Sequence, residues 1–359
     1  MILRPIPILA GALMLATSAS AQVSLTPPAA ETPAAKPQAK ATPKPPAAAK
    51  KPPAPADAKP AGKPPPPPPA AAATPPSAPE DPNVDLVYGA YQRGQYKTAF
   101  DLAIPRAQAG DVKAMTMLGE LYSNALGIKR DYAKAVDWFK RGADGGDREA
   151  MFALAMMRIA GRGCPVDKQD AVKLLASAAK LGEAKAAYNL ALLYLDGQTL
   201  PQDLKRSAEL LRMAADAGNP EAQYALATFY KEGTGVEKDV DKSVRLLQAA
   251  VLADNVDAEV EYAIALYNGA GTPKNQAAAV ALLRKAAKQN SAIAQNRLAH
   301  VLLSGQGAPM DKVEALKWHL VAKTAGKGDP ELDETFSTLS PEERAKAEQA
   351  ARRWLGAAK

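Results

Sequence analysis

A fixed period of 36 residues runs through most of this 359-residue chain. It is set by six alanines that fall in register, with no insertion or deletion between them: Ala114, Ala150, Ala186, Ala222, Ala258 and Ala294. A catalytic loop is normally needed once, whereas a repeat of this length is typical of a solenoid of stacked supersecondary units. The period therefore predicts six equivalent units over residues 114–329.

Each unit is predicted to contain two helices, which become visible when positions are counted from its alanine as position 0. Position 4 is large and apolar and position 5 is small, which places a packing face on a first helix. Glycines at positions 11 and 13 predict the end of that helix and a turn. Asp or Asn at position 17 predicts the N-cap of a second helix, whose packing residues are small at positions 21 and 28 and large at position 24. Position 32 holds Gly, Asp or Asn, which tolerate the left-handed conformation at a helix end.

Both ends of the repeat array differ from its interior, as solenoid ends do. Residues 84–113 read as a degenerate first unit with a shortened turn. At the other end, residues 331–359 are predicted to contain a capping helix, with Ser340 and Glu343 forming a capping box. The predicted fold is all-α, an α/α superhelical solenoid of tandem 36-residue helix-turn-helix repeats over 84–330 with a C-terminal cap.

Residues 1–21 have the features of a secretory signal peptide. Arg4 precedes the apolar stretch IPILAGALMLA, and Ala19-Ser20-Ala21 is a small-x-small cleavage site. The apolar stretch is short for a membrane span, although an uncleaved signal anchor stays open. This segment predicts export across the inner membrane, with the mature protein in the periplasm.

Residues 22–83 are predicted to be a disordered linker. They hold 21 of the 31 prolines and seven lysines, and they lack aromatic residues. Such a segment cannot bury enough apolar surface to offset its ordering entropy, and proline biases it to an extended form. A plain spacer is one interpretation; the other is a weak contact of its lysines with an anionic cell wall or membrane surface.

The repeated residues carry a family resemblance. The stretch AMTMLGELYSNALGIKRDYAKAVDWFKRGADGGDREA, residues 114–150, closely resembles the consensus of Sel-1-like repeats, relatives of the tetratricopeptide repeat. The resemblance covers residues 84 to about 330. It implies a right-handed superhelix of helix pairs with a concave inner surface, and a role as scaffold or adaptor. Secreted bacterial members are linked to envelope maintenance, signalling regulation and host contact, and the residues do not choose among these.

Candidate catalytic and metal-binding residues are few. The chain has two histidines, His300 and His319, on the two helices of the last unit, and one cysteine, Cys164, in a distant loop. The G-x-G turns lack the strand and the Lys-Ser pair of a phosphate-binding loop. No catalytic residue, metal ligand or cofactor is therefore predicted. The net charge of +7 is spread along the chain, which argues against a nucleic-acid partner.

The candidate partner-binding residues lie on the first helices. If tetratricopeptide geometry applies, positions −1, 2, 6, 9 and 10 face the concave side, and they vary more than the packing positions. The predicted contact residues are apolar or aromatic, with one rim charge: Phe152, Met156, Tyr188, Leu192, Tyr224, Tyr267 and Lys231. An exposed apolar groove with a polar margin is typical of peptide or helix docking. Aromatic residues at position 2 also suit ordinary packing, so both interpretations stay open for each residue.

These observations predict an exported, non-catalytic scaffold that binds another envelope protein through the concave face of its repeats. Two other roles remain open. One is a periplasmic regulator that inhibits a membrane sensor, and the other is a cell-wall-associated protein that uses the Lys/Pro-rich tether. The identity of the protein partner does not follow from the sequence.

Overall fold

The computed structural model describes residues 85–357, which contain sixteen α-helices and no strand. They belong to one compact unit whose core is built from the side chains of these helices. None of the described helices is both long and apolar enough to cross a bilayer. The predicted signal peptide, 1–21, and the predicted linker, 22–83, lie outside the described residues.

The first fourteen helices form seven consecutive pairs. The first helices of these pairs are α1 (Leu86–Gln92), α3 (Val112–Asn124), α5 (Arg148–Ala160), α7 (Ala184–Asp196), α9 (Pro220–Glu232), α11 (Val256–Asn268) and α13 (Ala292–Ser304). The second helices are α2 (Tyr96–Gln108), α4 (Tyr132–Asp144), α6 (Lys168–Lys180), α8 (Leu204–Asp216), α10 (Val240–Leu252), α12 (Gln276–Lys288) and α14 (Lys312–Thr324). Each helix packs on the next one along the chain, which confirms the predicted all-α solenoid. The cap consists of two helices, α15 (Pro330–Ser337) and α16 (Pro341–Ala357).

Side-chain caps fix where the helices of the six repeats begin. At position 17, the predicted residues each accept a hydrogen bond from the amide three residues later: Asp131, Asp167, Asp203, Asp239, Asn275 and Asp311. Sequence reasoning missed a second cap, which opens each first helix: Asp111, Asp147, Glu183, Asn219, Asn255 and Ser291. Each cap satisfies an amide that the helix itself leaves without an acceptor.

The predicted left-handed residues at helix ends are confirmed. The five glycines at position 11 have positive φ, as do the non-glycine residues Asp254 and Asn290 at position 32. Ala125 takes the same conformation, with φ 57°, where the other five units have glycine. A left-handed alanine costs roughly 1–2 kcal/mol, so the first of the six units carries local strain that the others avoid.

The glycine at position 13 does more than the predicted turn. A Cβ on Gly235 would lie 2.2 Å from the carbonyl oxygen of Leu204, in the first turn of the preceding unit's second helix. A Cβ on Gly163 would lie 2.2 Å from the carbonyl oxygen of Tyr132 in the same way. The loop of one unit therefore rests directly on the backbone of the unit before it.

The deepest large side chains of the second helices lie at position 25, one residue after the predicted position 24. All six position-25 residues are buried: Phe139, Leu175, Leu211, Leu247, Leu283 and His319. Four of the six residues at position 24 are only half-buried: Trp138, Leu174, Leu246 and Leu282. Position 24 is buried only at Leu210 and Trp318, so the large residues of the second helices that are buried in every unit lie at position 25, which corrects the predicted packing position.

The first C-terminal helix, α15, is attached to the last unit by both histidines of the chain. His300 Nε2 lies 2.9 Å from Asp329 Oδ2, and His319 Nε2 lies 2.8 Å from Asp333 Oδ1. At the next helix, Ser340 and Glu343 exchange backbone-to-side-chain hydrogen bonds of 3.2 Å, which confirms the predicted capping box. The cap is therefore held by charged and polar contacts as well as by apolar packing.

Acid is expected to release α15 before the centre of the solenoid unfolds. Burial raises the pKa of Asp329, but hydrogen bonds from His300 and Asn296 outweigh burial and lower it. Hydrogen bonds from Lys323 and His319 lower the pKa of Asp333. A carboxylate with a depressed folded-state pKa contributes stability above its unfolded value, about 3.9, and that stability is lost as the pH falls through the folded-state pKa.

Hydrogen exchange, corrected for the intrinsic rate, should show protection of α15 falling as the pH drops below about 4. The Asp329→Asn/Asp333→Asn variant should show weak protection that no longer changes in this range. The same pH course in both proteins would mean that the two pairs do not hold the helix.

Candidate partner-binding groove on the first helices

The first helices converge on one side of the solenoid. Helices α3 and α5 of neighbouring units contact each other directly. The charge of Lys185 acts on Glu120, and that of Asp257 acts on Tyr188, although each pair is two units apart. The first helices therefore lie side by side on one face of the stack, the face that the family resemblance implies is concave.

The predicted contact residues divide into two groups. Phe152, Met156, Tyr188 and Tyr224 are half-buried and Lys231 is exposed, so each presents surface to solvent. Two others are almost fully covered by neighbouring residues, with 6% exposure for Leu192 and 5% for Tyr267.

The structure corrects the role predicted for Leu192 and Tyr267. The hydroxyl of Tyr267 donates a hydrogen bond of 3.1 Å to Gln306 Oε1 in the next unit, which ties the side chain into the stack. Leu192 is one of the buried apolar residues that form the core. Both residues therefore support the groove and offer a partner almost no surface.

The tyrosine groove is the part of the concave side formed by Tyr188, Tyr224, Glu221, Asp257 and Glu261. Burial raises the pKa of Tyr188 to about 12, with smaller contributions from Glu221 and Asp257. Burial also raises the pKa of Tyr224, assisted by Glu261 and Asp257. Asp257 is exposed, and the pKa of its carboxyl is raised by partial desolvation and then by the charge of Glu261. The two rings therefore lie in a partly desolvated, negatively charged environment.

Charged residues at the rim of the groove only partly neutralise its negative charge. Lys231 Nζ lies 2.8 Å from Glu261 Oε2, which pairs one carboxylate. Glu232, beside Lys231, is exposed, and Asp196 is half-buried. Among these three residues, Lys231, Glu232 and Asp196, negative charges outnumber positive ones by two to one.

The family of the chain follows from its repeats. The model of the Sel1 repeat matches six consecutive segments that together span 112–327: 112–147, 148–183, 184–219, 220–255, 256–291 and 292–327. The chain belongs to the Sel1 repeat family. Sel1 repeat proteins mediate protein–protein interactions.

Two solved structures of Sel1 type share the fold. One is c5321, a protective antigen of uropathogenic Escherichia coli strains with an SLR fold, at 26% identity and a TM-score of 0.64. That match covers 75% of this chain and 60% of the antigen, so this chain spans less than two thirds of its relative's length. The other is a Sel1 repeat protein from Oxalobacter formigenes, at 25% identity and a TM-score of 0.58, covering 66% of this chain and 94% of that one. No curated protein matches the sequence.

A second groove lies at the N-terminal end of the repeat array, between α1 and the first helices of the first two Sel1 repeats. It has a volume of about 500 Å³ and includes Tyr88, Tyr91 and Met117, with Glu120 and Glu149 at its wall. Burial raises the pKa of Glu120, and the charge of Glu149 raises it further. Sequence reasoning missed this groove because α1 has only seven residues and the 36-residue register is lost there.

The few reactive side chains of this Sel1 repeat protein are engaged in structural contacts. Both histidines contact aspartates of the cap, as described above, and Cys164 is half-buried with its Sγ 3.7 Å from the carbonyl oxygen of Arg162. Within residues 85–357, no group of three or more His, Cys, Asp or Glu side chains is placed to hold a metal ion.

Proposed function

We propose that this Sel1 repeat protein is an exported, non-catalytic scaffold that holds another envelope protein against its first helices, in the periplasm of a bacterium with two membranes. The observation that carries the proposal is the tyrosine groove. Its two aromatic side chains occupy equivalent positions in neighbouring units and keep part of their surface open to solvent. The export part of the proposal rests on the sequence of residues 1–21.

Tyrosines in this setting suit protein recognition. A tyrosine supplies a large apolar ring with a polar hydroxyl, and Tyr is enriched among the residues that dominate binding energy at interfaces. Because helices hold Tyr188 and Tyr224 in place, little conformational entropy is lost when a partner binds. The packing positions stay alike from unit to unit while the groove positions vary, as expected if the groove is specific for one partner.

Affinity capture after crosslinking of intact envelopes tests the proposal. The mature chain should be recovered from the periplasmic fraction with Gln22 at its N-terminus, crosslinked to a specific partner. A Tyr188→Ala/Tyr224→Ala variant should lose at least nine tenths of that partner, because two buried-ring contacts are worth about 1–2 kcal/mol or more at an interface.

A matched control removes apolar surface from the second helices. Met213 and Leu252 are exposed there, at 46% and 88%, and the Met213→Ala/Leu252→Ala variant should capture the partner normally. Equal capture by all three proteins would refute the groove assignment, and recovery in the cytosol would refute export. A captured membrane sensor would favour the regulatory role, and retention by purified cell wall alone would favour the wall-associated one.

A further inference from the structure

The tyrosine groove is negative in a protein that is positive overall. The chain has a formal charge of +7, yet the groove contains three carboxylates and Lys231 pairs with only one of them, Glu261. Among the described residues, neither Glu221 nor Asp257 forms an ion pair. Asp257 is exposed, yet partial desolvation and the neighbouring charge of Glu261 raise the pKa of its carboxyl, so an incoming cation would favour its ionised form.

The faces of the two tyrosine rings are also free of cations. Elsewhere in the chain, lysine or arginine side chains lie over the rings of Tyr122, Tyr132 and Tyr230, at 5.3–5.9 Å from the centroid. Within residues 85–357, no such side chain covers Tyr188 or Tyr224. Cations bind favourably over tyrosine rings, and more strongly where water is partly excluded. Rings and carboxylates therefore favour the same kind of ligand group, a lysine or arginine side chain.

The spacing of the units indicates the form of the ligand. Tyr188 and Tyr224 are one unit apart, as are Glu221 and Asp257, and first helices that pack side by side, as α3 and α5 do, are about 8–10 Å apart. A polyproline II chain has three residues per turn and rises about 3.1 Å per residue, so every third side chain points the same way at intervals of about 9 Å. An extended chain of this form presents one side chain to each successive unit.

We propose that the tyrosine groove binds an extended segment in the polyproline II conformation with a lysine or arginine at every third residue. This inference rests on the proposed scaffold function and adds the chemistry of the partner. Successive cations approach Glu221 and Asp257 and lie against the rings of Tyr188 and Tyr224, while the residues between them face solvent. Because proline fixes this conformation in advance, the segment loses little entropy on binding.

Fluorescence anisotropy with a labelled peptide of four Lys-Pro-Pro triplets tests the inference. The protein is the fragment 84–359, which contains every described helix and the whole core. We expect saturable binding that weakens with added salt. The Glu221→Gln/Asp257→Asn variant should bind at least tenfold more weakly. A control variant, Glu209→Gln/Asp241→Asn, removes two exposed carboxylates from the second helices and should bind as the wild type does.

A permuted peptide tests the spacing. It has the same composition, with its four lysines adjacent and its eight prolines following, and it should bind at least tenfold more weakly than the triplet peptide. Absence of saturable binding, equal losses in the two charge variants, or equal binding of the two peptides would overturn the inference. Loss of the natural partner in the Tyr188→Ala/Tyr224→Ala variant would still support the scaffold function, so the two failures can be told apart.

Discussion

Replacing Gly235 by alanine should lower the free energy of unfolding by about 2–5 kcal/mol. Two costs add at this residue. Its φ of 65° is one that alanine adopts at a cost of roughly 1–2 kcal/mol. The new methyl group would also lie 2.2 Å from the carbonyl oxygen of Leu204 and 2.6 Å from its carbonyl carbon. These are backbone atoms, so the contact can be relieved only by moving one repeat relative to the other.

Gly218 provides the matched control. Its φ is 83°, similarly left-handed, but nothing lies within 4 Å of the position its Cβ would occupy. Gly218→Ala should therefore show the conformational cost alone, roughly 1–2 kcal/mol. Urea denaturation of the two variants measures the difference, and hydrogen exchange should show the extra loss of protection in Gly235→Ala at the start of α8. Equal destabilisation by the two substitutions would mean that the close approach adds nothing.

This comparison bears on how the repeats are joined. The stability of a solenoid is the sum of what each unit contributes and what each interface between neighbours contributes. Gly218 ends a helix within one unit, whereas Gly235 belongs to an interface between two. The glycine at position 13, present in five of the six units with Thr199 as the exception, therefore allows a close approach between stacked units, and the sequence alone shows it only as a turn residue.

Much of the fold could be predicted because the residues that specify each helix end recur in all six units of the sequence. Asp239 alone is weak evidence for an N-cap, but five equivalent residues at the same spacing make the assignment firm. The same holds for the left-handed residues, where Asp254 and Asn290 replace glycine with the two side chains that best tolerate positive φ. These features depend on backbone conformation within a few residues, which the sequence specifies directly.

Features set by contact between units were harder to predict. Positions 24 and 25 are both apolar in most units. Because adjacent residues of a helix point in neighbouring directions, the apolar pattern does not show which of the two side chains points inward. Leu192 and Tyr267 resemble the residues of an open groove, yet both are buried. The burial of the two tyrosines beside Glu221, Asp257 and Glu261 likewise depends on how strongly the first helices converge. The sequence pattern does not show how strongly the first helices converge.

Positions 5 and 25 show how the residues of two packed helices vary together from one repeat to the next. At position 5, five units have a fully buried alanine, but the first has Gly119. At position 25, the same first unit has Phe139 where units two to five have leucine. A Cβ on Gly119 would lie 2.5 Å from the ring of Phe139. The missing methyl group of Gly119 therefore makes room for the larger ring.

A double-mutant cycle should measure this compensation. Gly119→Ala should destabilise the protein by about 1–2 kcal/mol, because overpacking of about 1–3 kcal/mol exceeds the gain in helix propensity of up to about 1 kcal/mol. Phe139→Leu should cost about 1 kcal/mol through the space it leaves.

The double variant reproduces the Ala–Leu pair of the following four units and should be about as stable as the wild type, which gives a coupling energy of about 2–3 kcal/mol. Urea denaturation of the four proteins provides the cycle. Additive losses would show that the two side chains do not share one space. A coupling of the expected size would show that each repeat adjusts its own pair of residues to fill the same volume, so that the units remain interchangeable in shape while their sequences differ.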